Sequence, residues 1–416
     1  MKNFKIAKIQ QQLKDKAIDA LIINRTDEFL NEYIPPDAER LSWATDFSGS
    51  AGRAIINQNT SSLFVDGRYT FQAKEQIDKD MISLLHWNNF SDELKKNFEK
   101  NKCVALDPML HSIEEVNKII ELADENETKL YFTRPNLIDE LWIDKPDRKY
   151  SVIFNHPINY AGIDASNKVD QFVNELKSNN LDSYFLSSLD SIAWLLNIRA
   201  DDILHTPLAF SYLFISVENK PILYLSIEKL NTDLKNRLSN FLNLQPIEKI
   251  NNIFKNLSKK LKVGFDYKNT SYFFYNLALD NDLIPSNLQN PCLIPKATKN
   301  ETELEGSRKA HLRDGVSITK FLYWLKNHQS VEEENEISVA NKLLSFREPN
   351  ELFHSVSFDT ISAIGKNAAL PHYRADKNNP VSLKNNSIYL SDSGGQYYDG
   401  TTDITRTIIL GKPNKE

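Results

Sequence analysis

Ile6, Ile9, Leu13 and Ala17 recur at helical spacing, and the chain then enters an unbroken apolar run at Ala20-Leu21-Ile22-Ile23. A period near 3.6 giving way to a short continuous run predicts a helix followed by a buried strand. The alternation continues with strand-like Arg53-Ala54-Ile55-Ile56 and Leu63-Phe64-Val65, a helical stretch over 69–77, strand-like Cys103-Val104-Ala105-Leu106 and a helix over 112–122. Strands and helices in turn predict an α/β layer structure.

The pattern then repeats. A helix predicted over 168–178 leads into Leu181-Asp182-Ser183-Tyr184-Phe185-Leu186, as the first helix leads into Ile18-Asp19-Ala20-Leu21-Ile22-Ile23. Leu63-Phe64-Val65-Asp66 has a counterpart in Ile222-Leu223-Tyr224-Leu225, and Lys102-Cys103-Val104-Ala105-Leu106-Asp107 has one in Lys262-Val263-Gly264-Phe265-Asp266. Agreement in order as well as type predicts two duplicated α/β domains. Pro291 to Pro295 marks a boundary. Beyond it, a charged helix over 301–326 sets Ile318, Phe321, Leu322 and Leu325 at core-facing spacing, and a second helix is predicted over 330–346. The stretches 357–364 and 387–409 are rich in β-branched residues and turn formers. This third unit runs about 120 residues to Gly411-Lys412-Pro413-Asn414-Lys415-Glu416, and a helix pair with a few strands reads as an incomplete domain.

Composition narrows the classes. With 41% hydrophobic and 25% charged residues the chain is an ordinary globular protein, and 50 Lys plus Arg against 56 Asp plus Glu leave a net charge of −6. No basic excess is available to neutralise phosphates, so no nucleic-acid partner is expected. Cys103 and Cys292 are the sole cysteines and stand far apart, which excludes a disulfide framework and a cysteine zinc site. No apolar run reaches membrane-spanning length, and the expectation is a soluble, cytoplasmic protein without membrane contact.

The densest chemical signal is the segment from Ser391-Asp392-Ser393-Gly394-Gly395 through Asp399-Gly400-Thr401-Thr402-Asp403 to Arg406-Thr407. Strands flanking a Gly-rich reversal predict a hairpin, and a symmetric register puts Asp392 directly opposite Asp403. Facing carboxylates are destabilising unless a cation or a shared proton neutralises them. Hard oxygen donors suit magnesium or manganese, and a bridging carboxylate fits a dinuclear hydrolytic centre. The bland reading is that Asp392, Asp399 and Asp403 are turn residues on a solvated hairpin. His372, in Leu370-Pro371-His372-Tyr373-Arg374, is a candidate to donate to an oxyanion or to exchange a proton near pH 7, against the commoner structural role of a lone histidine. The other seven histidines form no ligand-spaced pair. Arg68, in Asp66-Gly67-Arg68-Tyr69, emerges at the end of a buried-looking strand, where a guanidinium binds either a substrate carboxylate or carbonyl or a structural acid. The Gly-rich Ser48-Gly49-Ser50-Ala51-Gly52 lacks the Gly-Lys-Ser/Thr ending of a phosphate loop and is read as a tight turn.

Together these residues resemble the long, three-domain Xaa-Pro aminopeptidase (aminopeptidase P) family of pita-bread metallopeptidases. The likeness lies in Asp46-Phe47-Ser48-Gly49-Ser50-Ala51-Gly52, Asp66-Gly67-Arg68-Tyr69, 189–199, Ser357-Phe358-Asp359-Thr360-Ile361, His372-Tyr373 and the Asp392 to Asp403 separation of eleven positions. The resemblance implies an α/β and α+β architecture: creatinase-type α/β domains over 1–145 and 146–295, then the first part of a pita-bread domain over 296–416. It implies a metal-dependent aminopeptidase that releases the residue before a penultimate proline. Two manganese ions are implied, with Asp392 binding one and Asp403 bridging both, His372 stabilising the tetrahedral intermediate and Arg68 binding the peptide at the neighbouring subunit's site in a homodimer. The family's remaining ligands, one His and two Glu, have no counterpart before Glu416. The isolated chain is therefore expected to bind manganese poorly and to be inactive, a truncated product or one half of an enzyme completed by a separate C-terminal polypeptide. The alternative is a non-catalytic peptide- or protein-binding pita-bread module. Prolidase fits less well, because it has one N-terminal α/β domain where this chain has two.

Overall fold

The structure, a computed structural model, describes Phe4 to Lys412; residues 1–3 and 413–416, the latter containing most of the predicted chain end, lie outside the described residues. It divides into two compact units, one comprising the chain up to Phe154 with Ala165–Ile203 and Leu208–Lys296, the other Asn155–Asp164, Leu204–Pro207 and the chain from Ala297.

In the first unit, α1 (Phe4–Asp15) buries Ile6, Ile9 and Leu13, and β1 (Ala20–Asn24) is buried along its whole length, as the change of period predicts. With β2 (Arg53–Asn57), β3 (Ser61–Val65), β4 (Ser83–His86), β5 (Cys103–Leu106) and β6 (Lys129–Phe132), it forms a sheet in the order β4-β3-β2-β1-β5-β6. A second sheet contains β7 (Ser183–Leu186), β8 (Ser211–Ser216), β9 (Ile222–Leu225), β10 (Asn243–Pro246), β11 (Lys262–Phe265) and β12 (Ile284–Asn287) in the order β10-β9-β8-β7-β11-β12. Strand directions also agree: β1/β2 and β7/β8 are antiparallel, while β1/β5 and β7/β11 are parallel. Each of the three sequence parallels occupies equivalent strands, β1 with β7, β3 with β9 and β5 with β11.

The equivalent strand-to-helix turns meet across a local twofold. Ser112, which caps α2 (Ile113–Glu125), bridges antiparallel to Ser271, which precedes α3 (Tyr272–Asp280). Ile113 N donates to Thr270 O at 3.0 Å and Tyr272 N to His111 O at 2.9 Å. Both sheets contribute rings to one buried core, with Phe29 stacked on Tyr212 at 4.6 Å and Phe185 against Phe274 at 4.3 Å.

In the second unit, α4 (Glu301–Asn327) starts at a capping box in which Asn300 accepts from Glu303 N and Glu303 from Asn300 N, and it buries Ala310, Asp314, Ile318, Phe321 and Leu325. The helix predicted over 330–346 begins later. A 3₁₀ turn at Val331–Glu333 precedes α5 (Glu336–Arg347), because the Asn335 side chain accepts from Ile337 N and Ser338 N and so fixes the start. Two small antiparallel sheets follow. One holds β14 (Ile361–Ile364), β15 (Ser387–Ser393) and β18 (Ile404–Leu410), with β15 central. The other holds β13 (Phe353–Val356), β16 (Gly395–Tyr397) and β17 (Gly400–Thr401), with β16 central. Packing of Phe321, Val339, Leu343, Ile364, Tyr389 and Leu410 joins α4, α5 and the first of these sheets. β18 lies at the edge of its sheet, and the cross-strand pair Ile388 and Ile409 is 52% and 38% exposed.

Candidate active site

The acidic hairpin forms, but two residues away from the symmetric register. Asp392 pairs with Thr405 rather than Asp403, and Asp403 falls in the break between β17 and β18. The cause is the turn. Tyr397 pairs with Gly400, leaving Tyr398 and Asp399 as the two-residue reversal, and Asp399 is clamped by Arg313 through bonds of 3.1 and 2.9 Å. Asp399 is thus part of a structural ion pair, while Asp392 and Asp403 behave differently. Side chains alternate with period two, so a shift of two residues keeps the facing set on one side of the ribbon. Asp392 and Asp403 become diagonal neighbours, close enough for the Asp392 carboxylate to act on Asp403. Burial raises the Asp403 pKa above the ordinary carboxylate value, and the neighbouring Asp392 charge and the shared hydrogen bond raise it further. Thr405 Oγ1 donates to Asp392 Oδ1 at 2.8 Å and orients that carboxylate.

The donor chemistry fits a divalent cation: two hard carboxylates on one face, one of them hindered from ionising beside the other, are a pair that a cation between them would relieve. Among the described residues no group of three or more His, Cys, Asp or Glu is placed to hold a metal ion, so this pair would supply only part of a coordination shell.

The root of the hairpin rests on a charge pair that the sequence reading missed. Asp314 and Arg347 are both fully buried, with Arg347 Nε to Asp314 Oδ1 at 2.6 Å and Nη2 to Oδ2 at 3.0 Å. Tyr397 OH donates to Asp314 Oδ1 at 2.8 Å and Thr402 Oγ1 to Oδ2 at 2.9 Å, while Arg347 Nη2 donates to Ser393 Oγ at 3.1 Å. Ser393 and Thr402 are the chain neighbours of Asp392 and Asp403. Gly394, between them, has no room for a side chain, since a Cβ would overlap Thr402 O and Ser357 Oγ. A signal was present: Asp314 sits four residues before Ile318, on the helix's apolar stripe.

His372 lies half-buried in the loop that leaves β14 through the 3₁₀ turn Gly365–Ala369. Its neighbour Tyr373 donates to Glu336 Oε2 at 2.6 Å and accepts from Asn367 Nδ2 at 2.9 Å. Glu336 is completely buried and takes two more bonds on Oε1, from Ile364 N at 2.8 Å and Asn367 Nδ2 at 3.0 Å. Asp359, in the quoted Ser357 to Ile361 motif, bonds His205 Nε2 at 2.9 Å; that bond, with Arg374 nearby, holds its carboxyl below the usual range. Arg68 belongs to the first unit, at the exit of β3. It pairs with Asp66 at 2.6 Å and is about half exposed, which is the structural-acid pairing weighed for it.

Comparison with known proteins gives this geometry a family. Residues 5–134 and 144–303 each match a Creatinase/Prolidase N-terminal domain, and residues 305–416 match Metallopeptidase family M24. A protein of Paracoccidioides brasiliensis (strain Pb18) described as a probable Xaa-Pro aminopeptidase P is 33% identical over 433 residues, covering 99% of this chain and 70% of the relative. The chain belongs to the Xaa-Pro aminopeptidase P family. A Coccidioides posadasii (strain RMSCC 757 / Silveira) relative of the same description is also 33% identical, with coverage of 99% and 69%. The solved X-prolyl aminopeptidase of Caenorhabditis elegans, described as a cytosolic enzyme with a di-nuclear active site, superposes with a TM-score of 0.89 at 27% identity over 99% of this chain and 70% of that one. The family fold of two creatinase-type domains and an M24 pita-bread domain is therefore that of this chain. Among the described residues no helix is long and apolar enough to cross a membrane.

Proposed function

We propose that this chain carries part of the active site of a cytoplasmic, manganese-dependent Xaa-Pro aminopeptidase, which acts as a homodimer on peptides with proline at the second position. The placing of Asp392 and Asp403 as diagonal neighbours on one face of a hairpin, in a member of this family, carries the reading. When bound there, divalent manganese supplies Lewis acidity to the carbonyl of the bond before proline. Asp392 and Asp403 hold the charge, with Thr405 fixing the orientation of Asp392. His372, from the neighbouring loop, donates a hydrogen bond to the oxygen on which negative charge develops. Arg68, released from Asp66, binds the peptide from the neighbouring subunit.

Two aspartates do not complete the shells of two ions, so we expect no turnover from the chain by itself. The assay is release of the first residue from an Xaa-Pro peptide in manganese, using the chain alone and a fusion to the part of the C. elegans enzyme that it does not cover. Turnover by the fusion, lost in D392N, supports the proposal. A fusion that folds, binds manganese and leaves the peptide intact contradicts it. A module without catalysis would bind the peptide equally well with and without the metal.

A further inference from the structure

Helix α5 carries a fully buried charge at each end, Glu336 in its first turn and Arg347 in its last. Each sign suits the helix dipole, which favours an anion at the N-terminus and a cation at the C-terminus. Eleven residues at 1.5 Å per residue put the two ends roughly 16 Å apart on one rigid element. Neither charge faces water, and the two hold different parts of the unit: Glu336 the loop after β14, Arg347 helix α4 and the hairpin root.

At the N-terminal end, the Glu336 carboxylate receives Ile364 N, Asn367 Nδ2 and Tyr373 OH, donors that run from the last residue of β14 into the loop that carries His372. At the C-terminal end, Arg347 holds Asp314 through two bonds and Ser393 through a third. Asp314 in turn receives Tyr397 OH and Thr402 Oγ1, and Thr402 Oγ1 accepts from Gly395 N at 2.9 Å. Every bond at this end reaches α4 or the hairpin root beside Asp392 and Asp403. Between the ends, Val339 and Leu343 are buried in the core of the unit, which keeps the helix from sliding or rotating. Rigid support is what an element that sets the geometry of a site requires.

We infer that α5 is the spacer of the active site: Glu336 positions His372 through Tyr373 and Asn367, and Arg347 positions the Asp392–Asp403 pair through Asp314, Ser393 and Thr402. This rests on the reading of those three residues as the site and adds what holds its two parts apart. Neither Glu336 nor Arg347 touches substrate; both act through their partners. Because the two ends bind different segments, the two parts of the site are separable by mutation.

The test uses two mild variants, each read in two ways. Thr402→Val removes the hydroxyl link at the Arg347 end, and Tyr373→Phe removes the hydroxyl bond to Glu336 Oε2. Manganese affinity is measured by the resonance of free Mn²⁺, and the His372 ring by NMR of ¹³C-histidine-labelled chain, assigned with H372Q. T402V is expected to weaken manganese binding at least about tenfold, the range seen on loss of groups that orient metal ligands, while the His372 signal stays in place. T402S, which keeps the hydroxyl, is expected to bind as the wild type does. Y373F is expected to shift and broaden the His372 signal while manganese affinity stays within about twofold. A purely structural role would move both readouts together, and that result, or no movement in either, overturns the inference. Failure of the wild type to bind manganese overturns the metal-site reading and the Arg347 arm with it. An unmoved His372 signal in Y373F, with manganese binding intact, overturns the spacer alone.

Discussion

Replacing Asp403 with asparagine should stabilise the second unit when no metal is present. Its folded pKa lies above its unfolded value because of partial burial, the Asp392 charge and the bond between the two carboxyls. A carboxyl raised in this way contributes stability that is fully present below the unfolded pKa and lost as pH rises through the folded one. As pH rises through the folded pKa the wild type loses that contribution, whereas D403N has nothing to titrate and keeps a neutral amide beside Asp392. Asp403 is exposed, so the magnitude is taken from like-charged cross-strand neighbours, about 0.2–1 kcal/mol. For a unit of this size that corresponds to a rise in Tm of about 1–4 °C. Scanning calorimetry in EDTA at pH 7 should show the rise, and the difference should shrink as pH is lowered toward 4. Added manganese should then raise the Tm of the wild type more than that of D403N, since a ligand stabilises the state that binds it. An unchanged or lower Tm for D403N in EDTA would mean that the two carboxyls do not strain one another, and the argument for a cation between them would fall.

Arg347→Met strips the partner from a fully buried Asp314 and should cost about 3 kcal/mol or more, read by urea unfolding together with hydrogen exchange in α5; the double variant D314L/R347M should recover part of that loss. In the first unit, Asp27 is completely buried, and burial pushes its pKa from 3.8 to about 6 despite bonds from Phe29 N, Asn31 N and Asn31 Nδ2. Its contribution to stability should be present below pH 3.8 and lost as pH rises through 6, and a carboxyl ¹³C titration should find its midpoint near 6; a midpoint under 4 would refute this. Asn300→Ala removes the capping box of α4 and should cost about 0.5–2 kcal/mol, seen as faster exchange in the first turn of that helix.

The α/β units were legible because their central strands are buried on both faces. Ala20 to Ile23 and Ser183 to Leu186 are buried throughout, so an unbroken run marks them with no need of register. Register was the harder quantity for the acidic hairpin. It was set by where the turn closed, and that depended on Arg313 clasping Asp399 from a helix some 86 residues earlier, which no local pattern contains. The shared face of Asp392 and Asp403 was still readable, because an error of two residues leaves the facing set unchanged. Buried charges were the least legible part. Glu336, Val339, Leu343 and Arg347 lie along one stripe of α5, as Ala310, Asp314, Ile318, Phe321 and Leu325 do along α4. A carboxylate or guanidinium on such a stripe reads as a solvated residue until its partner, distant in sequence, is known. Asp314 and Arg347 explain each other only when paired.

Titration of the metal-free chain with manganese, followed by the resonance of free Mn²⁺, tests the central claim most directly. Weak uptake by the wild type, as expected of a partial ligand set, that is lost in both D392N and D403N is the predicted result. No uptake, or uptake that survives either substitution, would contradict the assignment of these two carboxylates to a metal centre.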